Sequence, residues 1–119
     1  MDTPCICHIR DIYRAISAFE NKLIEAFGVH INEAMLLCLL AERQRILAGE
    51  IADELGLTRS NASKVIAAME KAGNVRRFTC SEDSRCQRFE LTKHGRDLLS
   101  HIHCDSFQVP EELRPMAGQ

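Results

Sequence analysis

Residues 49–73 read GEIADELGLTRSNASKVIAAMEKAG, and the placing of apolar, small and breaking residues in this stretch decides the fold. Ile51, Ala52 and Leu55 fall at helical spacing, Gly56 breaks the helix, Thr58 can cap a second one, and Ala62, Val65, Ile66 and Met69 return to helical spacing. The pattern predicts a helix-turn-helix over 49–72. Ala52 is small enough for the second helix to cross close above it. Gly56 takes the left-handed conformation after the first helix, and Leu57 fills the corner.

On the second helix a step of about 100° per residue puts Val65, Ile66 and Met69 on one face with Ala62, and turns Ser60, Lys64, Ala67 and Lys71 the other way. Asn61 and Ser63 flank that outer face. Small polar residues with one amide and spaced lysines suit a DNA major groove, because Asn can bond adenine bidentately, Ser adapts to several bases, and Lys reaches guanine or phosphate. An ordinary solvated helix face carries similar residues, and helix-turn-helix lookalikes exist that bind no DNA.

Gly73 ends the helix, and two β-rich runs follow, 75–80 and 86–91, separated by Ser81-Glu82-Asp83-Ser84-Arg85. A hairpin directly after a recognition helix predicts a winged helix. Its wing carries Arg76, Arg77, Arg85 and Arg88. An arginine at a hairpin tip can enter a narrow, electronegative minor groove, and strand arginines can bond phosphates. Charge is distributed accordingly. Residues 58–96 hold nine Lys and Arg against four acids, a balance of +5, while the rest of the chain holds six against thirteen, or −7.

Leu47 to Gly95 resembles the MarR (multiple antibiotic resistance regulator) family of winged-helix transcriptional regulators. The resemblance is carried by EIADELGLTRS (50–60), MEKAG (69–73), the wing signature Asp83-Ser84-Arg85, and LTKHG (91–95) leading into the next helix. It implies that Asp83 braces the wing loop and Arg85 reaches into the minor groove. It also maps recognition contacts onto Arg59, Ser60, Asn61, Ser63 and Lys64, beside Thr58, Arg76 and Arg77. Ala62 departs from the pattern where many relatives place a larger aliphatic.

The 119 residues, 45% hydrophobic and only 5% aromatic with no Trp, predict a single domain held by aliphatic helix packing. No apolar stretch is long enough to cross a bilayer and no leader opens the chain, so a soluble, cytoplasmic protein is expected. Ile9, Ile12, Ile16, Phe19, Leu23 and Phe27 form a narrow stripe on a helix over 5–28. The stripe can cover the core of its own chain. The family resemblance implies instead that the first and last helices form a shared dimer interface, to which Ile102 would also contribute. Asn32 is an expected N-cap for a centrally buried helix with Met35, Leu36, Cys38, Leu39 and Leu40. Residues 45–47 can add a short strand beside the wing. The winged helix then spans 31–92, with the wing at 75–91. Thr92 caps a C-terminal helix over 93–106 with Leu98 and Ile102 buried, and a tail over 107–119 follows. Pro110 and Pro115 there do not support the second helix that family members usually place after the wing.

Six cysteines without a secretory leader are expected to be reduced. Cys38 reads as a core residue. Cys80 and Cys86 flank the wing loop, where an oxidised pair would move the wing. Cys5, Cys7 and His8 at one end, and His101, His103 and Cys104 at the other, are the candidate soft-metal ligands if the termini converge. Neither group has a closed-site spacing, and no metal or other cofactor is assigned. There is no phosphate loop, zinc-protease helix or nucleophile elbow, and Asp53 and Glu54 diverge on one helix, so no enzyme is expected.

The expected fold is mainly α with a small β-hairpin wing, a winged helix-turn-helix flanked by N- and C-terminal dimerisation helices. The expected function is a dimeric, sequence-specific regulator, a repressor on a palindromic double-stranded DNA operator, open to a small-molecule effector. A metal- or thiol-responsive sensor and a winged-helix protein-interaction module are the alternatives.

Overall fold

Hydrophobic patterning and the glycine stops set the element order. A computed structural model describes residues 5–80 and 83–102, with side chains described at 5–79 and 86–102. The elements are α1 (Ile6–Phe27), α2 (Ile31–Glu42), β1 (Ile46–Leu47), α3 (Ala48–Leu55), α4 (Arg59–Lys71), β2 (Val75–Cys80), β3 (Asp83–Leu91) and α5 (Lys93–Ile102). They fall into two compact units, residues 5–30 and 31–102.

The first unit is α1. Gly28, at φ +70°, closes it by donating its N–H to the Ile24 carbonyl at 2.8 Å. Of the apolar stripe, Leu23 is buried, Ile12, Phe19 and Phe27 are half-buried, and Ile9 and Ile16 are exposed. Ile6 and Tyr13 are 77% and 71% exposed.

The second unit is built around α2, which packs on α3, α4, α5 and β3. A helix surrounded on so many sides must be apolar nearly all round, and Leu36, Leu37, Leu39 and Leu40 are buried. Each fully buried leucine stabilises the fold by about 1.5–3 kcal/mol. Two details differ from the sequence expectation. The helix starts at Ile31, so Asn32 lies in its first turn rather than at its cap, and Met35 is exposed.

The sheet is antiparallel in the order β1-β3-β2. Ile46 pairs with Phe89, and β2 runs against β3 from Val75↔Leu91 to Thr79↔Gln87, where the register shifts. The strand β3 begins at Asp83, earlier than the expected Cys86. Pairing extends into the segment that turn-forming residues suggested was loop. The backbone at 45 enters β1 with φ +62°, an unusual conformation for a non-glycine residue. It is fixed there by the Arg45 N–H bonding the Phe89 carbonyl (3.0 Å), by the Arg45 carbonyl accepting from Arg88 Nη1 (2.8 Å), and by its guanidinium over Phe78.

Thr92 caps α5 as expected, its Oγ1 accepting from the Gly95 N–H at 3.0 Å. Gly95, Leu99 and Ile102 are buried, whereas Leu98 is only half-buried. One residue of difference rotates the helix by about 100°, and packing of α5 on α2 chose Leu99. The expected extension of this helix to 106 and the tail at 107–119 lie outside the described residues. No single helix among the described residues is long and apolar enough to cross a membrane.

Candidate nucleic-acid interface

The helix-turn-helix forms as its residues dictate. The α3 helix ends at Gly56, φ +68°, and the Leu57 N–H turns back to the Ala52 carbonyl at 2.9 Å. Ile51 and Ala52 are buried under α4. Thr58 caps α4, its Oγ1 accepting from the Asn61 N–H at 3.1 Å. Ala62, Ile66 and Met69 are buried and Val65 is half-buried, and Arg59, Ser60, Asn61, Ser63 and Lys64 all stand exposed. Ala62, the small residue at a position where larger ones are common, is fully packed.

The α4 C-terminus is tied to the wing and to α5 through Asn74, the buried polar residue of the described core. Its N–H bonds the Met69 carbonyl (2.9 Å), its carbonyl accepts from the Thr92 N–H (3.1 Å), and its Oδ1 lies 2.6 Å from His94 Nδ1. Thr92 Oγ1 donates to the Gly73 carbonyl at 2.6 Å. The α4 helix, the wing and α5 therefore meet at one hydrogen-bonded joint.

The arginines divide into two groups. Arg76 and Arg45 both pair with Glu90, and these two guanidinium groups, Arg76 first, hold the Glu90 carboxyl below the usual carboxylate range. Arg77 forks onto Glu70 (Nη2–Oε1 2.7 Å, Nε–Oε2 3.1 Å), donates to Gln87 at 2.8 Å and lies over the Phe89 ring. Arg88 is spent on the Arg45 carbonyl. By contrast, neither Arg59 nor Lys64 makes an ion pair with a described residue. Both are exposed, and Lys64 lies one turn along the helix from Asn61. The acids that hold the wing-base arginines were not singled out from the sequence. Glu90 was legible in principle, because Arg76 and Glu90 are direct cross-strand partners once the register is known. The side chains of Asp83 and Arg85 lie outside the described residues.

Cysteine chemistry is mixed. Cys5, Cys7 and Cys38 are free, whereas Cys86 is disulfide-bonded. That bond corrects the expectation of uniformly reduced thiols at this position. The Cys80 side chain lies outside the described residues. Burial, with the Glu42 charge second, pushes the Cys38 thiol up. Cys5 sits at the N-cap of α1 without a side-chain capping bond, and the amides of His8 and Cys7 lower its pKa. Among the described residues no group of three or more His, Cys, Asp or Glu side chains could hold a metal. Of the metal candidates, His103 and Cys104 lie outside the described residues.

A sequence model of the MarR family matches residues 29–87. The chain is similar to the transcriptional repressor MprA of Escherichia coli strain K12, 31% identical over 86 residues, which cover 69% of this chain and 48% of MprA. It thus spans about half the length of that relative. Its fold is similar to that of the transcriptional regulator BldR from Sulfolobus solfataricus, with TM-score 0.74, 25% identity, and 95% of this chain and 76% of that one covered. It is also similar to the S. aureus MepR–DNA complex, with TM-score 0.65, 21% identity, and coverage of 79% and 77%. The matched segment contains the helix-turn-helix and most of the wing, and the chain belongs to the MarR family of winged-helix regulators, which are not enzymes.

Proposed function

We propose that the chain is a cytoplasmic, dimeric transcriptional regulator that represses from a palindromic operator, each protomer laying α4 in a major groove. The observation that carries this reading is the exposed surface of α4, where Lys64 lies one turn from Asn61 and neither Lys64 nor Arg59 pairs with an acid among the described residues. The repressor MprA and the DNA complex of MepR support it. Thr58 starts the helix, Ser60 and Ser63 adapt to bases or phosphate, and Arg76 and Arg77 border the duplex from the wing base. Arg85, braced by Asp83, enters the minor groove. Two-fold symmetry puts half-sites about 10 bp apart. The dimer forms through the α1 residues Ile9, Ile12, Ile16 and Phe19, and exposed Ile6 and Tyr13 extend the same apolar surface; Leu23 and Ile102, also expected at the interface, are instead buried within the protomer. A small-molecule effector would act by changing the spacing of the two α4 helices.

The test is selection of duplexes from a random library by the full chain under reducing conditions, then fluorescence anisotropy on the selected duplex and a scrambled one at two salt concentrations. A palindromic winner bound selectively, with affinity falling steeply as salt rises, is the expected result. Equal weak binding to both duplexes overturns the reading. Asn61→Ala is expected to relax preference at one or two base positions at a cost of about 1–3 kcal/mol. Uniform weakening across operators would make Asn61 a phosphate contact instead.

A further inference from the structure

We propose that Gly49 is a positioning residue for DNA recognition, its missing side chain forming the seat from which Arg59 presents its guanidinium to a backbone phosphate at the start of α4. This rests on the DNA-binding reading above.

Gly49 is the second residue of α3, where glycine costs helix stability relative to alanine. Its backbone does not require glycine, since the glycines at positive φ are Gly28, Gly56 and Gly73. What glycine supplies at 49 is an absence. A Cβ placed there would lie 3.2 Å from Arg59 Nη2, 3.3 Å from Nη1 and 3.4 Å from Cζ. Three nearly equal distances mean that the guanidinium lies across the space that a side chain at 49 would take.

Among the described residues, the walls around this seat leave the arginine's donors free. Gly49, Glu50, Asp53, Arg59 and Gln87 line an open groove of about 500 Å³. Glu50 is already committed, accepting from the Leu47 N–H at 2.9 Å and from Arg43 at 3.2 Å. Gln87 accepts from Arg77. Asp53 makes no hydrogen bond to Arg59. The guanidinium occupies the space a side chain at 49 would fill, and its N–H groups make no hydrogen bond with another described residue. Seating a long side chain before binding reduces the rotamer freedom lost when it meets a phosphate.

Alanine at 49 forces the guanidinium off its seat by a few tenths of an ångström, and leucine fills the groove and displaces it altogether. The experiment measures binding of the full chain to its selected duplex for wild type, Gly49→Ala, Gly49→Leu, Arg59→Ala and the double variant Gly49→Ala/Arg59→Ala, with a thermal melt of each. Expected are an about threefold loss of affinity for Gly49→Ala and about tenfold for Gly49→Leu, a melting temperature for Gly49→Ala at or above wild type, and no further effect of Gly49→Ala once Arg59 is alanine. Unchanged or tighter binding by both Gly49 variants overturns the proposal, as does an equal loss with and without Arg59. A wild type that fails to select any duplex overturns the DNA-binding reading itself, and that failure shows in the wild-type measurement alone.

Discussion

At the scale of single residues, two glycines in this chain have opposite consequences. A Cβ at Gly95 would lie 2.2 Å from the Asn74 carbonyl oxygen and 3.0 Å from its carbon, both fixed backbone atoms inside the joint between α4, the wing and α5. Gly95→Ala is therefore expected to destabilise the fold by about 2–3 kcal/mol, measured by urea unfolding. Gly49→Ala meets only the movable end of an arginine, and costs no stability. Cysteine reactivity separates on similar local grounds. The helix amides lower the pKa of the exposed Cys5, while burial raises that of Cys38. Iodoacetamide at neutral pH is expected to label Cys5 at least about tenfold faster than Cys38, as read by peptide mass spectrometry. Equal rates would mean that the amides do not stabilise the Cys5 thiolate.

At the scale of elements, the wing base is held by acids that each take arginines from a different segment. Glu90 on β3 binds Arg76 on β2 and Arg45 before β1, so one carboxylate ties together all three strands of the sheet. Its side chain is 12% exposed, but those of its partners are about two-thirds exposed at 64% and 67%, and screening limits the network to about 1 kcal/mol. The sign of its pH dependence follows from the lowered pKa. A carboxylate whose folded-state pKa lies below its unfolded value contributes stability that is fully present above the unfolded value, about 4.3, and is lost as pH falls through the folded value. Glu90→Gln is thus expected to lower stability at pH 7 and to match wild type in strong acid. A stability difference that persists unchanged into acid would remove the carboxylate from the account.

At the scale of the whole molecule, the apolar surface of α1 is the feature that a protomer alone leaves unexplained. Ile9 is 50% exposed and Tyr13 71%, and apolar exposure on this scale along one helix supports the proposed dimer surface. Ile9→Glu with Tyr13→Glu is expected to convert a dimer to monomers in light scattering without changing the circular dichroism of the protomer. A dimer that survives both charges would place the interface elsewhere. Leu23 is unsuited to the same test, because it is buried and a charge there disrupts packing directly.

The sequence by itself determined the helix-turn-helix, its glycine stop, its threonine cap, the β1 strand and the outward face of α4. Each depends on the periodicity of neighbouring residues or on one local backbone conformation, and such information is contained within a few turns of chain. Tertiary structure decided which of Leu98 and Leu99 is buried, since that depends on the rotation of α5 against α2. It also decided that Arg76 and Arg77 are held by Glu90 and Glu70 while Arg59 is not. The register between β2 and β3 and the crossing of α4 on the sheet bring those pairs together, and no spacing along the chain encodes them. The seat at Gly49 belongs to the same class. A glycine early in a helix reads as a weak helix former until the fold shows which side chain lies over it.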